Sequence, residues 1–289
     1  MIHPNPNNPR QVFPLQILRM QRHQAKELHS HVFYELVAVV SGRCRHVTSN
    51  ESHPLEEGDI FLIKPGQVHG YETSGTFSII NYLYLPDILA LPYSDLTSMP
   101  GYQALFVLEP ELRKKQGFHK HLQLSPTGLE TLLLLTKEAE SYLDVKQPGN
   151  CFAAIMTFQR LLFFLAGYFG RQPDPSSMRL ETLKLSKLFS FMASHCGEPL
   201  TLTDLNQYAG MSESTLYRLC HQTVGRSPIQ HLNFLRLERA QKLLLSDLSI
   251  KEVSHACGFM DSNYFTRQFR QKTGLAPSAF RRKYASFDI

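Results

Sequence analysis

Two sets of side chains in this 289-residue chain could do chemistry, and they are chemically unlike. The first is imidazole and carboxylate: His29, His31 and Glu35, with His69 further along. In an extended chain His29, His31 and Glu35 share parity, so their side chains face one side. Three imidazoles and a carboxylate suit a divalent ion such as Zn²⁺, Mn²⁺, Fe²⁺ or Ni²⁺, or a ligand that exchanges hydrogen bonds with them. The second set is Ser214, Tyr217 and Arg218, matched by Asn263, Thr266 and Arg267. On a helix, the i, i+3, i+4 spacing places each trio on one face. Arginine suits bidentate pairing to guanine and asparagine to adenine, which is base-edge chemistry.

The second set lies in a unit that occurs twice. Leu216, Arg218, Gln222, Gly225 and Pro228 recur forty-nine positions later as Phe265, Arg267, Gln271, Gly274 and Pro277. In the first copy Leu202 to Ala209 reads as a helix, Gly210-Met211 as a turn, and Ser212 as the N-cap of a helix to about Thr223. In the second, Ile250 to Cys257 is the helix and Gly258-Phe259-Met260 the turn. Asp261 caps a helix to about Lys272. The glycine recurs at an offset of forty-eight, so the second turn is one residue longer. Leu216, Leu219 and Cys220 in the first copy, and Tyr264, Phe265 and Phe269 in the second, are expected to face the core. Asn233 to Leu245 reads as a connecting helix. A helix, a glycine-containing turn and a second capped helix is the plan that sets a recognition helix into a major groove. Two in one chain would read successive groove segments about 34 Å apart.

Charge separates this region from the rest. Residues 1–179 hold 16 Lys+Arg and 16 Asp+Glu, whereas residues 180–289 hold 14 and 9, so the whole formal charge of +5 lies in the C-terminal part. A basic domain beside a neutral one points to a polyanion as partner of the former. The breaker-rich run from Gly170 to Ser177 marks the boundary, which divides the chain into 1–170, a linker at 171–179, and 180–289.

Arg236-Leu-Glu-Arg-Ala240-Gln-Lys-Leu-Leu244, followed by Ile250-Lys-Glu-Val253, Ala256-Cys-Gly258-Phe259, Asn263-Tyr-Phe265, Phe269, Gly274 and Pro277, resembles the DNA-binding signature of AraC/XylS-type regulators. Ser254 departs from the family's usual alanine. The resemblance covers about a hundred residues. It implies a seven-helix, all-α domain with two recognition helices, double-stranded DNA as partner, and activation through contact with RNA polymerase. Carried over, the base-facing positions are Ser214, Tyr217, Arg218, Asn263, Thr266 and Arg267, with Thr215 and Ser262 as phosphate contacts.

Upstream, β-rich runs with turn signals between them (Phe33 to Val40, Gly42 to Thr48, Asp59 to Ile63, Phe77 to Leu85) describe a small antiparallel barrel or sandwich. Two helical patterns follow, Pro126 to Leu143 and Asn150 to Phe169. His29-x-His31-x3-Glu35-x6-Gly42 and Gly58-x5-Lys64-Pro65-Gly66-x2-His69 look like the two cupin motifs, with Lys64 at the expected proline and Thr73 at the usual closing asparagine. The fold class is thus α+β and multidomain, a cupin-like β-barrel with helices followed by two helix-turn-helix units. The resemblance leaves three readings of His29, His31, Glu35 and His69: a divalent-metal site, a metal-free effector pocket, or histidines bonded within the barrel. The metal-free pocket is the leading expectation, because regulators of this family often keep these residues without a known metal. His69 and Tyr71 share a face, and Tyr82 is expected to stack on a sugar ring. Asn81 can donate and accept hydrogen bonds, but its parity opposes that of Tyr82. The arrangement looks most like the rhamnose regulators, which makes a monosaccharide the expected effector.

Other classes are disfavoured. Five widely spaced cysteines with no C-x-x-C pair fit neither a disulfide framework nor a zinc site. No catalytic triad, phosphate-binding glycine loop or EF-hand pattern is present. The Asn- and Pro-rich start does not read as a secretory signal, so the expected location is the cytoplasm. Cys151 to Phe169 is strongly apolar, but Gln159 and Arg160 at its middle favour a buried or subunit-facing helix over a membrane span. This gives the expected homodimer a candidate surface. The alternative is a metal-dependent cupin enzyme or a metal sensor fused to a DNA-binding module.

Overall fold

The computed structural model describes residues 4–5, 8–12, 15–23, 26–49, 51–72, 75–85, 95–111, 122–144, 147–171 and 177–285. Thr73 and positions 172–176 of the expected linker lie outside them. The chain forms two compact units. The first comprises Met1–Leu96 and Ala104–Asp174, the second Thr97–Gln103 and Pro175–Ile289. The segment Thr97–Gln103 thus groups with the C-terminal residues, which boundaries drawn linearly along the chain do not anticipate.

In the first unit the strands are β1 (Pro4–Asn5), β2 (Asn8–Val12), β3 (Leu15–His23), β4 (Lys26–His29), β5 (Tyr34–Ser41) and β6 (Arg43–Thr48). They continue as β7 (Ser52–Glu56), β8 (Asp59–Ile63), β9 (His69–Glu72), β10 (Phe77–Tyr84) and β11 (Leu122–Gln123). β1 and β2 pair only with each other, and the rest form two antiparallel sheets, β11-β8-β5-β10-β3 and β4-β9-β6-β7. One buried cluster draws on both: Val37, Val39, Phe61, Ile63, Phe77 and Ile79 from the first, Cys44, Leu55 and Tyr71 from the second. Gly42 turns the chain from β5 to β6 at φ +79°, and a Cβ there would meet Thr76 O at 2.5 Å, so only glycine fits.

The opposite face of the five-stranded sheet carries a helical hairpin, α1 (Pro126–Leu143) and α2 (Asn150–Arg171). Tyr82 is fully buried there: its hydroxyl bonds to Thr136 Oγ1 at 2.5 Å and its ring lies 5.8 Å from that of Phe158. Arg19 on β3 makes a bidentate pair with Glu140 at 2.7 and 2.9 Å. Residues 150–169 of α2 are long and apolar enough to cross a bilayer, but Phe158, Leu161, Leu162 and Leu165 are buried in the unit's own core.

The second unit holds α3 (Ser177–His195), α4 (Leu202–Ala209), α5 (Glu213–Val224), α6 (Pro228–Leu243), α7 (Ile250–Ala256), α8 (Ser262–Thr273) and α9 (Pro277–Ala285). These are seven helices among the described residues from 177 onward, as the resemblance implies. Their starts are chemically marked. Thr201 with Asp204 and Ser249 with Glu252 form capping boxes on α4 and α7. Ser212 and Asp261 cap α5 and α8, the latter accepting from Asn263 N and Tyr264 N. The connecting helix α6 begins at Pro228, five residues before the sequence-based boundary, because Ser227 and Gln230 form a third capping box. Leu216, Leu219, Cys220, Phe265 and Phe269 are buried as expected. Tyr264, expected in the core, is 36% exposed.

Candidate effector site and nucleic-acid interface

The two cupin-like motifs meet in space through backbone pairing. His29 on β4 is opposite His69 on β9, and Gly66 N donates to His31 O at 2.8 Å. Glu35 at the start of β5 is buried between two imidazoles, with Oε2 2.8 Å from His31 Nε2 and 3.6 Å from His69 Nε2. Ligand atoms of His31, Glu35 and His69 lie within 4.8 Å of one another. His29 is outside that triad, although its ring is 4.3 Å from that of His69.

The other ring nitrogens decide what the triad offers. His29 Nδ1 is 3.0 Å from Glu27 O, His31 Nδ1 2.8 Å from Phe33 O, and His69 Nδ1 3.3 Å from Gln67 O. A carbonyl only accepts, so each Nδ1 carries the proton and each Nε2 is left to the cluster. In neutral imidazoles those Nε2 atoms are acceptors facing a carboxylate, itself an acceptor. The cluster therefore needs a donor or a cation among its members: a proton, a metal ion, or a ligand hydroxyl. Burial works against the charged form of Glu35, yet His31 and His69, which donate to it once a proton sits on Nε2, bring its pKa down to about 2.

A cavity of about 290 Å³ opens beside this cluster, lined by His46, Thr48, Glu51, His53, Gln67 and His69 among others. Of the residues expected there, His69 lines it and Tyr71 sits behind, its ring 6.3 Å from that of His69 and 5.7 Å from that of His46. Tyr82 does not belong to the site. Strand alternation turns it to the helical hairpin, and Asn81, opposite Val37 of the shared core, faces inward instead. His46 was missed by motif matching. The signal was available in β6, where Cys44 and His46 alternate with exposed Arg43 and Arg45. Lys64, at the expected proline, is accommodated by Glu111 at 2.9 Å and Val107 O at 3.4 Å.

In the second unit α5 presents Ser214, Tyr217 and Arg218 to solvent with Thr215 half-buried, and α8 presents Asn263 and Arg267 with Ser262 and Thr266 half-buried. Arg218 Nη1 donates to Gln222 Oε1 at 3.1 Å. Thr266 Oγ1 donates to Ser262 O at 2.8 Å. α5 thus offers a polar face with one guanidinium and α8 one with two, Arg267 and Arg270, backed by buried Leu216 and Phe265 respectively.

Residues 15–135 match the AraC-like ligand binding domain and residues 205–283 match a helix-turn-helix domain. The chain is 30% identical over 254 residues to the HTH-type transcriptional activator RhaR of Salmonella schwarzengrund, covering 88% of this chain and 86% of that one. The same figures hold for RhaR of Salmonella arizonae. Among solved structures, an AraC-type regulator from Chromobacterium violaceum is 33% identical and covers 36% of this chain and 95% of its own, with a TM-score of 0.34. The DNA-binding domain of AdpA in complex with a target DNA is 32% identical, covers 35% and 92%, and has a TM-score of 0.34. With two thirds of a relative's length covered and more at this identity, the chain belongs to the AraC-type family: it is a DNA-binding transcriptional regulator with a ligand-binding sensor, and not an enzyme.

Proposed function

We propose that the protein is a cytoplasmic, homodimeric activator that answers a monosaccharide, binds DNA through α5 and α8, and recruits RNA polymerase. The observation that carries the effector reading is the acceptor-rich cluster of His31, Glu35 and His69 beside a cavity of about 290 Å³. Sugar hydroxyls are the donors such a cluster lacks, and the imidazole of His46 lines the cavity beside it. His29, its ring 4.3 Å from that of His69, adjoins the cluster. The name these relatives carry, transcriptional activator, supports the sign of regulation. Ser214, Tyr217, Arg218, Asn263, Thr266 and Arg267 are the base-facing residues of this reading, with Thr215 and Ser262 on phosphate. Effector binding must favour one of two states of the protein to alter DNA binding.

The dimer surface of this reading lies on α2, where Phe152 and Phe163 are 65% and 59% exposed, with Leu134 of α1 also exposed. Leu162, in contrast, is core. Phe152→Glu with Phe163→Glu is expected to yield a monomer by analytical ultracentrifugation; an unchanged dimer removes this surface.

The test of the whole reading is DNA binding by the full chain to the promoter regions adjoining its own coding sequence, across salt and with a panel of monosaccharides. Arg267→Ala is expected to cost about 1–3 kcal/mol of specific binding. Failure of every sugar to shift the complex would end the sugar assignment.

A second reading has its own support. Histidines that hold a metal donate their other ring N–H to a carbonyl or carboxylate, and all three imidazoles have Nδ1 so placed. His29, His31, Glu35 and His69 would hold a divalent ion whose charge satisfies the acceptors. Calorimetric titration with Zn²⁺ and Ni²⁺, with His69→Ala as control, separates the readings: stoichiometric binding abolished by the substitution supports the metal.

A further inference from the structure

The first helix-turn-helix unit and the second recognition helix are joined by more than chain connection. Arg236, buried midway along α6, donates from Nε to Cys196 O at 3.0 Å and from Nη2 to Glu198 O at 2.8 Å. Its Nη1 reaches Asn233 Oδ1 at 3.4 Å. Asn233, also buried, donates from Nδ2 to the Tyr264 hydroxyl at 3.1 Å. Cys196 and Glu198 belong to the short peptide between α3 and Thr201, the cap that starts the first helix-turn-helix. Tyr264 stands on α8, next to Asn263 and three residues from Arg267, whose guanidinium carbon is 6.0 Å from the Tyr264 ring centroid. A hydrogen-bonded line therefore runs from the entry of the first unit, across the connecting helix, to the second recognition helix.

The second turn is seated on the same carbonyls. Gly258, at φ +77°, has Cys196 O 2.7 Å, Glu198 O 2.9 Å and Arg236 Nε 3.0 Å from where a Cβ would stand. The planar guanidinium spans two carbonyls and a side-chain oxygen at once, which an ammonium on a flexible stem does not. Buried donors and acceptors of this kind are costly to leave unmade, so the line has one low-energy geometry.

We propose that Arg236, Asn233 and Tyr264 are positioning residues that set the register of α8 against α5, so that the chain accepts one spacing between the two halves of its DNA site. The assignment rests on the reading of α5 and α8 as the DNA readers. Tyr264 acts here through Asn233 and not on a base. At the equivalent position of α5 stands Thr215, whose Oγ1 takes a hydrogen bond from Ser212 Oγ within its own cap.

The test uses the full chain and a two-part duplex selected by it from a random-sequence pool. Companion duplexes have one half scrambled, or one base pair added or removed between the halves. Tyr264→Phe deletes only the acceptor and keeps the ring; Asn233→Ala deletes the donor. Both are expected to bind the intact duplex about five- to tenfold more weakly, the loss of one hydrogen bond. Binding to each half alone should stay within about twofold of wild type, and the penalty for a one-base-pair change in spacing should fall by more than half. An unmoved spacing penalty in both variants overturns the register assignment alone, as does a loss confined to one half-site. A wild-type chain that enriches no two-part sequence overturns the reader assignment and this inference with it.

Discussion

The two helix-turn-helix copies share their caps and their left-handed glycines, but they are built to different stiffness. Gly210 and Gly258 recur at the same place, at φ +58° and +77°; nothing lies within 4 Å of a Cβ on the first, whereas the second is enclosed by two carbonyls and a guanidinium. The cores differ in the same direction. Leu216 and Cys220 of α5 correspond to Phe265 and Phe269 of α8, and the second copy packs Phe259, Phe265, Phe269 and Phe280 in successive ring contacts of 5.2, 5.7 and 5.3 Å. Large rings with few rotamers fix a helix more firmly than a leucine and a thiol do. A duplicated unit has thus become a rigid reader beside a more yielding one.

Core truncation should expose that contrast most strongly. Phe265→Ala is expected to destabilise the protein by about 3–5 kcal/mol, at the upper end of core truncations, and Leu216→Ala by about 2–3. Denaturant unfolding of both variants reads the difference, and equal losses would refute the unequal stiffness. Next come the glycines. Gly258→Ala should lose about 3 kcal/mol, from backbone strain plus collision, and Gly210→Ala about 1 kcal/mol from strain alone. Thermal melts that rank them the other way would show the enclosure of Gly258 to be slack. The caps follow: Asp261→Ala and Ser212→Ala should each cost about 1 kcal/mol, Asp261 the more because it accepts from two backbone N–H groups.

The smallest effect tests where the copies should agree. Hydrogen bonds from Thr201 hold the Asp204 carboxyl below its ordinary 3.8, and those from Ser249 hold Glu252 below 4.5. A folded pKa below the unfolded one adds stability above the ordinary value, lost as pH falls through the lowered one. Asp204→Asn and Glu252→Gln should flatten the acid limb of the stability curve to a similar small degree. A response from only one would mean that the two capping boxes differ in ways their geometry does not reveal.

The second unit was legible because its signals are local and repeated. Ser212, Asp261 and the glycines mark helix ends within a residue or two, and an offset of forty-nine makes each copy a check on the other. The early start of α6 was written in Ser227-Pro228-x-Gln230 but was outweighed by the apolar run that follows it. Tyr264 misled because its neighbours Phe265 and Phe269 are core, while its own place depends on Asn233, thirty-one residues away. In the sensor, β5, β6, β8 and β10 were readable from β-branched and aromatic runs. β7 was not, since Pro54 weakens a strand pattern and is tolerated only because β7 is the edge of its sheet. β3 mixes Gln16, Arg19 and Gln21 with apolar residues, which blurs its alternation. The assignment of Tyr82 to the pocket failed for a related reason: parity within β10 was known, but which parity faced the cavity depended on the sheet's partners.

That strand carries a consequence for how such a sensor can change. Along β10, Phe77, Ile79 and Asn81 face the shared core while Tyr82 and Tyr84 serve the helical hairpin, so consecutive codons answer to different demands. Every one of these positions is buried, so neither set is free to vary when ligand preference changes. A library for a new biosensor would therefore leave β10 untouched and randomise the cavity-lining residues of β6, β7 and the loop before β9, such as Thr48, His53 and Gln67.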